Sequence, residues 1–179
     1  MTFSQLPYQR PDLKNILNQT ETIQSQLMDS KDISKTIDII HAFFKLQDQY
    51  ETMAQLVYIR YSLNTADPFY ETERNFFDEE GPNVTEAFQK VIQTILDMED
   101  RKSLEKTFGS LFFKNYEQLL KTFDPSIKGH LVTENKLVTE YSKLIASARI
   151  EFDGQVLNLS KMAPYMQSLD RKDRKSTRL

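Results

Sequence analysis

Few side chains in this sequence could hold a metal, activate water or attack a carbonyl, and they are scattered. Histidine occurs twice, at His41 and His130, and cysteine not at all. His41 has Asp38 about one turn before it and Lys45 one turn after, the setting of a half-exposed helical histidine. His130 precedes Glu134 by four residues, so on a helix the two face one side and offer two ligands. A zinc site needs three protein donors plus an open position, or four donors. Neither histidine begins an H-E-x-x-H sequence. Asp78-Glu79-Glu80 gathers carboxylates but lacks the glycine and alternating oxygens of a calcium loop, so it reads as a solvated acidic helix end. Serine has no G-x-S-x-G setting, and the four glycines are isolated, which leaves no phosphate-cradling loop. The expected sets of catalytic, metal-binding and cofactor-binding residues are therefore empty.

Binding chemistry is equally restrained. The formal charge is -3, against the clustered Lys and Arg that drive nucleic-acid binding. The basic end, with Arg171, Lys172, Arg174, Lys175 and Arg178, is diluted by Asp170 and Asp173 and has no interleaved aromatic for base stacking. It reads as the exposed face of a helix that the chain end cuts short. No apolar run approaches the ~20 residues of a membrane span, and Met1 to Arg10 lacks a signal-peptide pattern. The absence of cysteine suits a reducing cytoplasm, the expected location. The triplets at Asn18, Asn83 and Asn158 that match a glycosylation acceptor are read as chance matches. No nucleic-acid or membrane partner is expected.

The elements that would position any site are helical. Twelve Phe and eight Tyr in 179 residues supply the bulky apolar groups of a folded core. The pairs Phe43-Phe44, Phe76-Phe77 and Phe112-Phe113 are read as core or interface anchors. Leu13, Ile16, Leu17, Ile23 and Leu27 recur on one stripe, with Pro11 suited to the first helical turn. A longer stripe from Ile33 through Ile40, Phe44 and Val57 to Tyr61 predicts a rod-like second helix, capped by Asp29 or Ser30. Asp67-Pro68 starts a third, which Gly81-Pro82 should break or kink. Leu104 to Leu120 support two short helices or one bent near Gly109, and Asp124-Pro125 stops that element. Leu131, Leu137, Val138, Tyr141, Leu144, Ile145 and Ala148 predict a further helix. Ile150-Glu151-Phe152 and Gln155-Val156-Leu157 flank Asp153-Gly154, the signature of a hairpin with a type I′ turn. Ser160 could cap a last short helix through Met166, complicated by Pro164. The predicted fold is mainly α, a multi-helix lobe over 1–169 with one small β-hairpin near 150–157, and 170–179 begin a following helix.

At this level of detail the sequence resembles the N-terminal half of oligoendopeptidase F-type enzymes. The resemblance is carried by Arg149 to Ser160, reading RIEFDGQVLNLS, by Pro164 to Ser168 with Asp170-Arg171, and by Leu137 to Ala148. Ile59 to Ser62, Phe69-Tyr70, Asn75 to Glu79, Pro7-Tyr8 and Arg10 to Asp12 extend it over nearly the whole chain. The family is similar to thimet oligopeptidase, whose helical shell encloses a channel that admits short peptides. The resemblance implies a zinc-dependent parent that hydrolyses oligopeptides, with zinc held by an H-E-x-x-H helix and a further Glu in the C-terminal half. Nothing here matches that helix, so no ligand or catalytic residue carries over and the implied role is channel wall. Such members run several hundred residues further, so a truncated protein, a proteolytic fragment or an interrupted reading frame is expected. A detached lobe of this kind would expose apolar surface, through which two copies could pair as a homo-oligomer.

A second reading of the same residues is a stand-alone helical interaction module, whose amphipathic helices offer a groove to a partner helix. The two differ in whether an H-E-x-x-H helix lies downstream of Leu179.

Overall fold

Aspartates start the first three helices. The computed structural model describes residues 5–122, 124–152, 154–167 and 169. The Asp12 side chain accepts from the Asn15 amide at 3.1 Å and opens α1 (Leu13–Asp29). Asp32 accepts from Ser34 and Lys35 at 2.8 and 3.2 Å and opens α2 (Ile33–Leu63). Asp67 accepts from Phe69 and Tyr70 at 2.9 and 3.3 Å and opens α3 (Pro68–Leu96), with Pro68 in the first turn as expected. Each satisfies amides that the first turn leaves without helical partners. Two sequence expectations are thereby corrected. Pro11 lies before the cap rather than inside the turn, and Asp32, not Asp29 or Ser30, caps α2.

Helix α3 is the hub, packing against α1, α2, α5 (Ser110–Lys121) and α6 (Lys128–Ser147). Ile16, Ile23 and Leu27 of α1, Ile40, Phe43 and Val57 of α2, and Val84, Phe88, Val91 and Ile95 of α3 form one buried cluster. The Phe43 and Phe88 rings meet edge to face at 5.6 Å, and Tyr50 meets Phe77 and Phe88 at 5.6 and 5.9 Å, an arrangement aromatic quadrupoles favour. Helix α4 (Arg101–Phe108) inserts Leu104, and Gly109, at φ 83°, turns the chain into α5. The left-handed backbone is what separates these helices, which settles the choice between two short helices and one bent one.

Of the break or kink expected at Gly81-Pro82, the break does not occur: α3 runs on with Pro82 inside it. A proline removes the donor to the carbonyl four residues earlier, here Asp78. Asn135 of α6 supplies a replacement, its Nδ2 donating to the Asp78 carbonyl at 3.4 Å. A short 3₁₀ turn (Pro125–Ile127) leads into α6, after which β1 (Ile150–Phe152) and β2 (Gln155–Leu157) pair antiparallel as predicted. Gly154 takes φ 70° in the turn; its predicted companion Asp153 lies outside the described residues. Helix α7 (Leu159–Met166) is capped by Asn158, which accepts from Lys161 N at 2.9 Å, and not by Ser160; Pro164 is accommodated inside it. The Phe152 and Tyr165 rings pack at 5.0 Å and tie α7 to the hairpin. The predicted helix start at 170–179 and its basic residues lie outside the described residues.

Candidate functional site

The residues singled out for metal chemistry stay apart. His41 is exposed on α2 with its ring 5.4 Å from that of Phe108. His130 and Glu134 are both exposed on α6. Among the described residues no three or more His, Asp or Glu side chains are grouped so as to hold a metal ion. Zinc therefore does not fit the donor set of the described residues, since a hydrolytic site draws together at least three protein ligands.

The acidic run on α3 is a different object from the solvated helix end expected of it. It lies mid-helix, and the Asp78 side chain is only 3% exposed. Asp78 Oδ1 pairs with Arg74 Nη2 at 3.0 Å, and Thr139 Oγ1 of α6 donates to Asp78 Oδ2 at 2.6 Å. Arg74 Nε also donates to Thr139 at 3.1 Å, closing a triangle between the helices. Burial raises the Asp78 pKa above the ordinary carboxylate value, outweighing Thr139 and Arg74, which pull it down. Flanking pairs continue the same seam: Glu71 with Lys143, Glu79 with Lys136 at 2.8 Å, and Glu86 with Lys128 at 2.8 Å.

Glu86 also meets Lys90 at 2.9 Å, and hydrogen bonds from Lys128 and then Lys90 lower its pKa from 4.5 to about 2. A carboxylate with a lowered folded-state pKa contributes stability that is complete above its ordinary value and is lost as pH falls through the folded one. Unfolding midpoints in urea are expected to drop between pH 4.5 and 2, and Glu86→Gln should flatten that part of the profile. At neutral pH the same substitution costs under about 1 kcal/mol, the scale of a surface pair. An unchanged acid slope in Glu86→Gln would contradict the assignment.

A second polar cluster straps the N-terminal segment to α3. The Arg10 guanidinium donates to both Glu73 carboxylate oxygens at 2.9 and 2.6 Å, and the Tyr8 hydroxyl donates to the same carboxylate. Bidentate pairing with Arg10 holds the Glu73 carboxyl below its usual range despite its burial. Arg10 also lies 4.7 Å over the Phe76 ring. From α2, Arg60 donates to the Leu6 carbonyl at 2.6 Å and the Tyr70 hydroxyl at 2.9 Å. Sequence reasoning assigned no role to these side chains, although Tyr8, Arg10, Arg60 and Tyr70 fall in segments that carried the family resemblance.

Beside the α3–α6 seam the Tyr61 hydroxyl is buried with no hydrogen-bond partner among the described residues. An unsatisfied buried hydroxyl is unfavourable, so Tyr61→Phe is expected to stabilise the fold by about 1 kcal/mol. A loss of stability in thermal unfolding would show the hydroxyl to be bonded.

Helix α6 spends its polar face on α3, and its apolar face points outward. Leu137, Val138, Tyr141 and Leu144 are between 50% and 66% exposed, with Ile145 at 37%. The apolar stripe predicted for this helix is real, but only Leu131 at its N-terminal end and Ala148 just past its C-terminus are half-buried. Val156 of the hairpin, Leu159 of α7 and Leu63 at the end of α2 are exposed nearby. Between them lies an open groove of about 860 Å³, lined among others by Asn64, Tyr141, Ile145, Val156 and Leu159. Covering such side chains would contribute about 1.5–3 kcal/mol for each one fully buried.

Comparison with known proteins places these features. Residues 3–123 match the family described as the peptidase M3 N-terminal domain. The fold superposes on PZ peptidase A with an inhibitor at a TM-score of 0.93 and 32% identity, covering 98% of this chain and 31% of that one. A structure assigned as oligoendopeptidase F matches at 0.93 and 33%, covering 99% and 31%. Another so assigned, from Bacillus anthracis, matches at 0.93 and 32%, covering 99% and 32%. The chain thus spans about a third of the length of the solved structures it resembles. No curated protein matches it.

Proposed function

Because the chain belongs to the peptidase M3 family, as its N-terminal domain, we propose that it is the non-catalytic lobe of a zinc-dependent oligopeptidase. In this reading the lobe forms part of the wall of a channel that receives short peptides, and the parent acts in the cytoplasm. The zinc and the residues that activate water belong to polypeptide outside this chain. What supports the reading is the superposition at a TM-score of 0.93 over 99% of this chain but 31% of a much longer oligoendopeptidase F structure. The scattering of His41, His130 and the carboxylates is consistent with it.

The lobe's contribution is then rigidity. Strap and seam tie the N-terminal half of α3 to its neighbours, with Glu73 held by Arg10 and Tyr8 and Asp78 by Arg74 and Thr139. A channel wall built on such a helix holds its shape while peptides enter and leave. No membrane contact is invoked, and no described helix is long and apolar enough to cross a bilayer.

The test is a chimera in which this chain replaces the corresponding third of the Bacillus anthracis oligoendopeptidase F. The chimera is expected to cleave a short fluorogenic peptide, and the 179-residue chain alone is not. A folded chimera without turnover would refute the proposal. A stand-alone interaction module, the rival suggested by the exposed α6 face, requires that this fold not support turnover in the chimera.

A further inference from the structure

We infer that the outward apolar face of α6, with Val156 and Leu159 beside it, is the seam on which the catalytic two-thirds of an M3 peptidase packs. The inference rests on the function proposed above and names the face through which it is exercised. In an ordinary surface helix the apolar stripe meets the core and the polar stripe meets water. Here Lys128, Lys136, Thr139 and Lys143 are taken up by α3, and Leu137, Val138, Tyr141, Leu144 and Ile145 look away from it. An apolar stripe of this kind on a finished fold marks an interaction surface.

Three observations choose the occupant. The chain superposes over nearly its full length on structures about three times longer, so in those relatives most of the polypeptide lies outside the matched lobe. The patch also lies at the C-terminal end of the described fold, where α6, the hairpin and α7 succeed one another and Leu169 is 96% exposed. Finally, the α6 side chains that bond to α3 are polar, so the outward stripe of Leu137, Val138, Tyr141, Leu144 and Ile145, which the exposed Glu134 and Glu140 flank, is left for another surface. An apolar surface from the remaining polypeptide meets these conditions.

The chain has no cysteine, so single-cysteine variants of the isolated chain report solvent access without background, and in the chimera the label is read at the introduced position by peptide mass mapping. Tyr141→Cys, Leu144→Cys and, as a buried reference, Val91→Cys would be labelled with a thiol reagent in the isolated chain and in the chimera described above. Both α6 positions should react quickly in the isolated chain and at least ~10-fold more slowly in the chimera, as burial in a cooperative interface requires. Val91→Cys should react slowly in both.

Fast labelling of the α6 positions in a chimera whose Val91→Cys is protected overturns the seam. If that chimera still cleaves peptide, the functional reading survives. Protection without turnover supports the seam and overturns the functional reading. Concentration-dependent protection in the isolated chain would put a second copy on this face and also overturn the inference. Should the chimera fail to fold, Leu137→Glu with Leu144→Glu in the isolated chain provides the check. It should abolish binding of a hydrophobic dye and leave Tm unchanged, whereas a fall of more than ~4 °C would show that the chain itself covers the face.

Discussion

Phe43→Ala lowers the unfolding free energy by about 3–5 kcal/mol, the range for truncating a large buried aromatic. Phe43 has no exposed surface and stacks at once on Phe44 of its own helix and Phe88 of α3. Removing the ring deletes contacts on both sides and leaves a cavity between two long helices that cannot close on each other. Domains of this size are stable by only about 5–15 kcal/mol, so the variant should be close to unfolding at moderate temperature. Leu144→Ala, on the exposed face of α6, should change stability by under about 0.5 kcal/mol. Urea denaturation of the two variants separates core from seam. A Phe43→Ala cost below about 1 kcal/mol would contradict the packing described.

Asp78→Ala is expected to cost about 3 kcal/mol, because it removes one partner of a buried ion pair. The loss is one-sided: Arg74, 17% exposed, and the Thr139 hydroxyl both remain in the seam after their acceptor is gone. An apolar seam of the same shape could be equally stable, so the cost measures the unpaired remainder rather than the net worth of the pair. Asp78→Asn, which keeps an acceptor for Thr139, should cost less. The pH response identifies the group. With its folded-state pKa raised above the ordinary 3.8, Asp78 binds its proton more tightly when folded, and its contribution falls as pH rises through that window. This opposes Glu86, and Asp78→Asn should remove the opposing part from the urea midpoint profile. Equal stability of Asp78→Ala and the parent chain would show that the carboxylate is solvated.

The helices were legible where local chemistry alone decides. Asp67-Pro68 carries its own start signal, Gly109 its own break, and Asp-Gly between two short β-branched or aromatic runs its own hairpin. What could not be read locally depended on partners far along the chain. Pro82 is tolerated because Asn135 answers the carbonyl it orphans. Asp78 is buried because Thr139 reaches it from 61 residues away. The periodicity of α6 showed that an apolar face exists but not that the polar face would be the one turned inward, since a stripe does not name what covers it. Family resemblance added the role. Some of the segments that extended it along the chain, around Tyr8, Arg10, Arg60 and Tyr70, meet in the strap at α3. Glu73, which completes the strap, left no signal in the sequence because an isolated helical carboxylate looks the same whether solvated or paired.

The catalytic apparatus is the most direct object of measurement. The purified 179-residue chain, equilibrated with excess zinc and then dialysed, should retain no stoichiometric metal by elemental analysis and should cleave no oligopeptide. One tightly held zinc per chain, with turnover that a chelator abolishes, would contradict the assignment of catalysis to polypeptide outside this lobe.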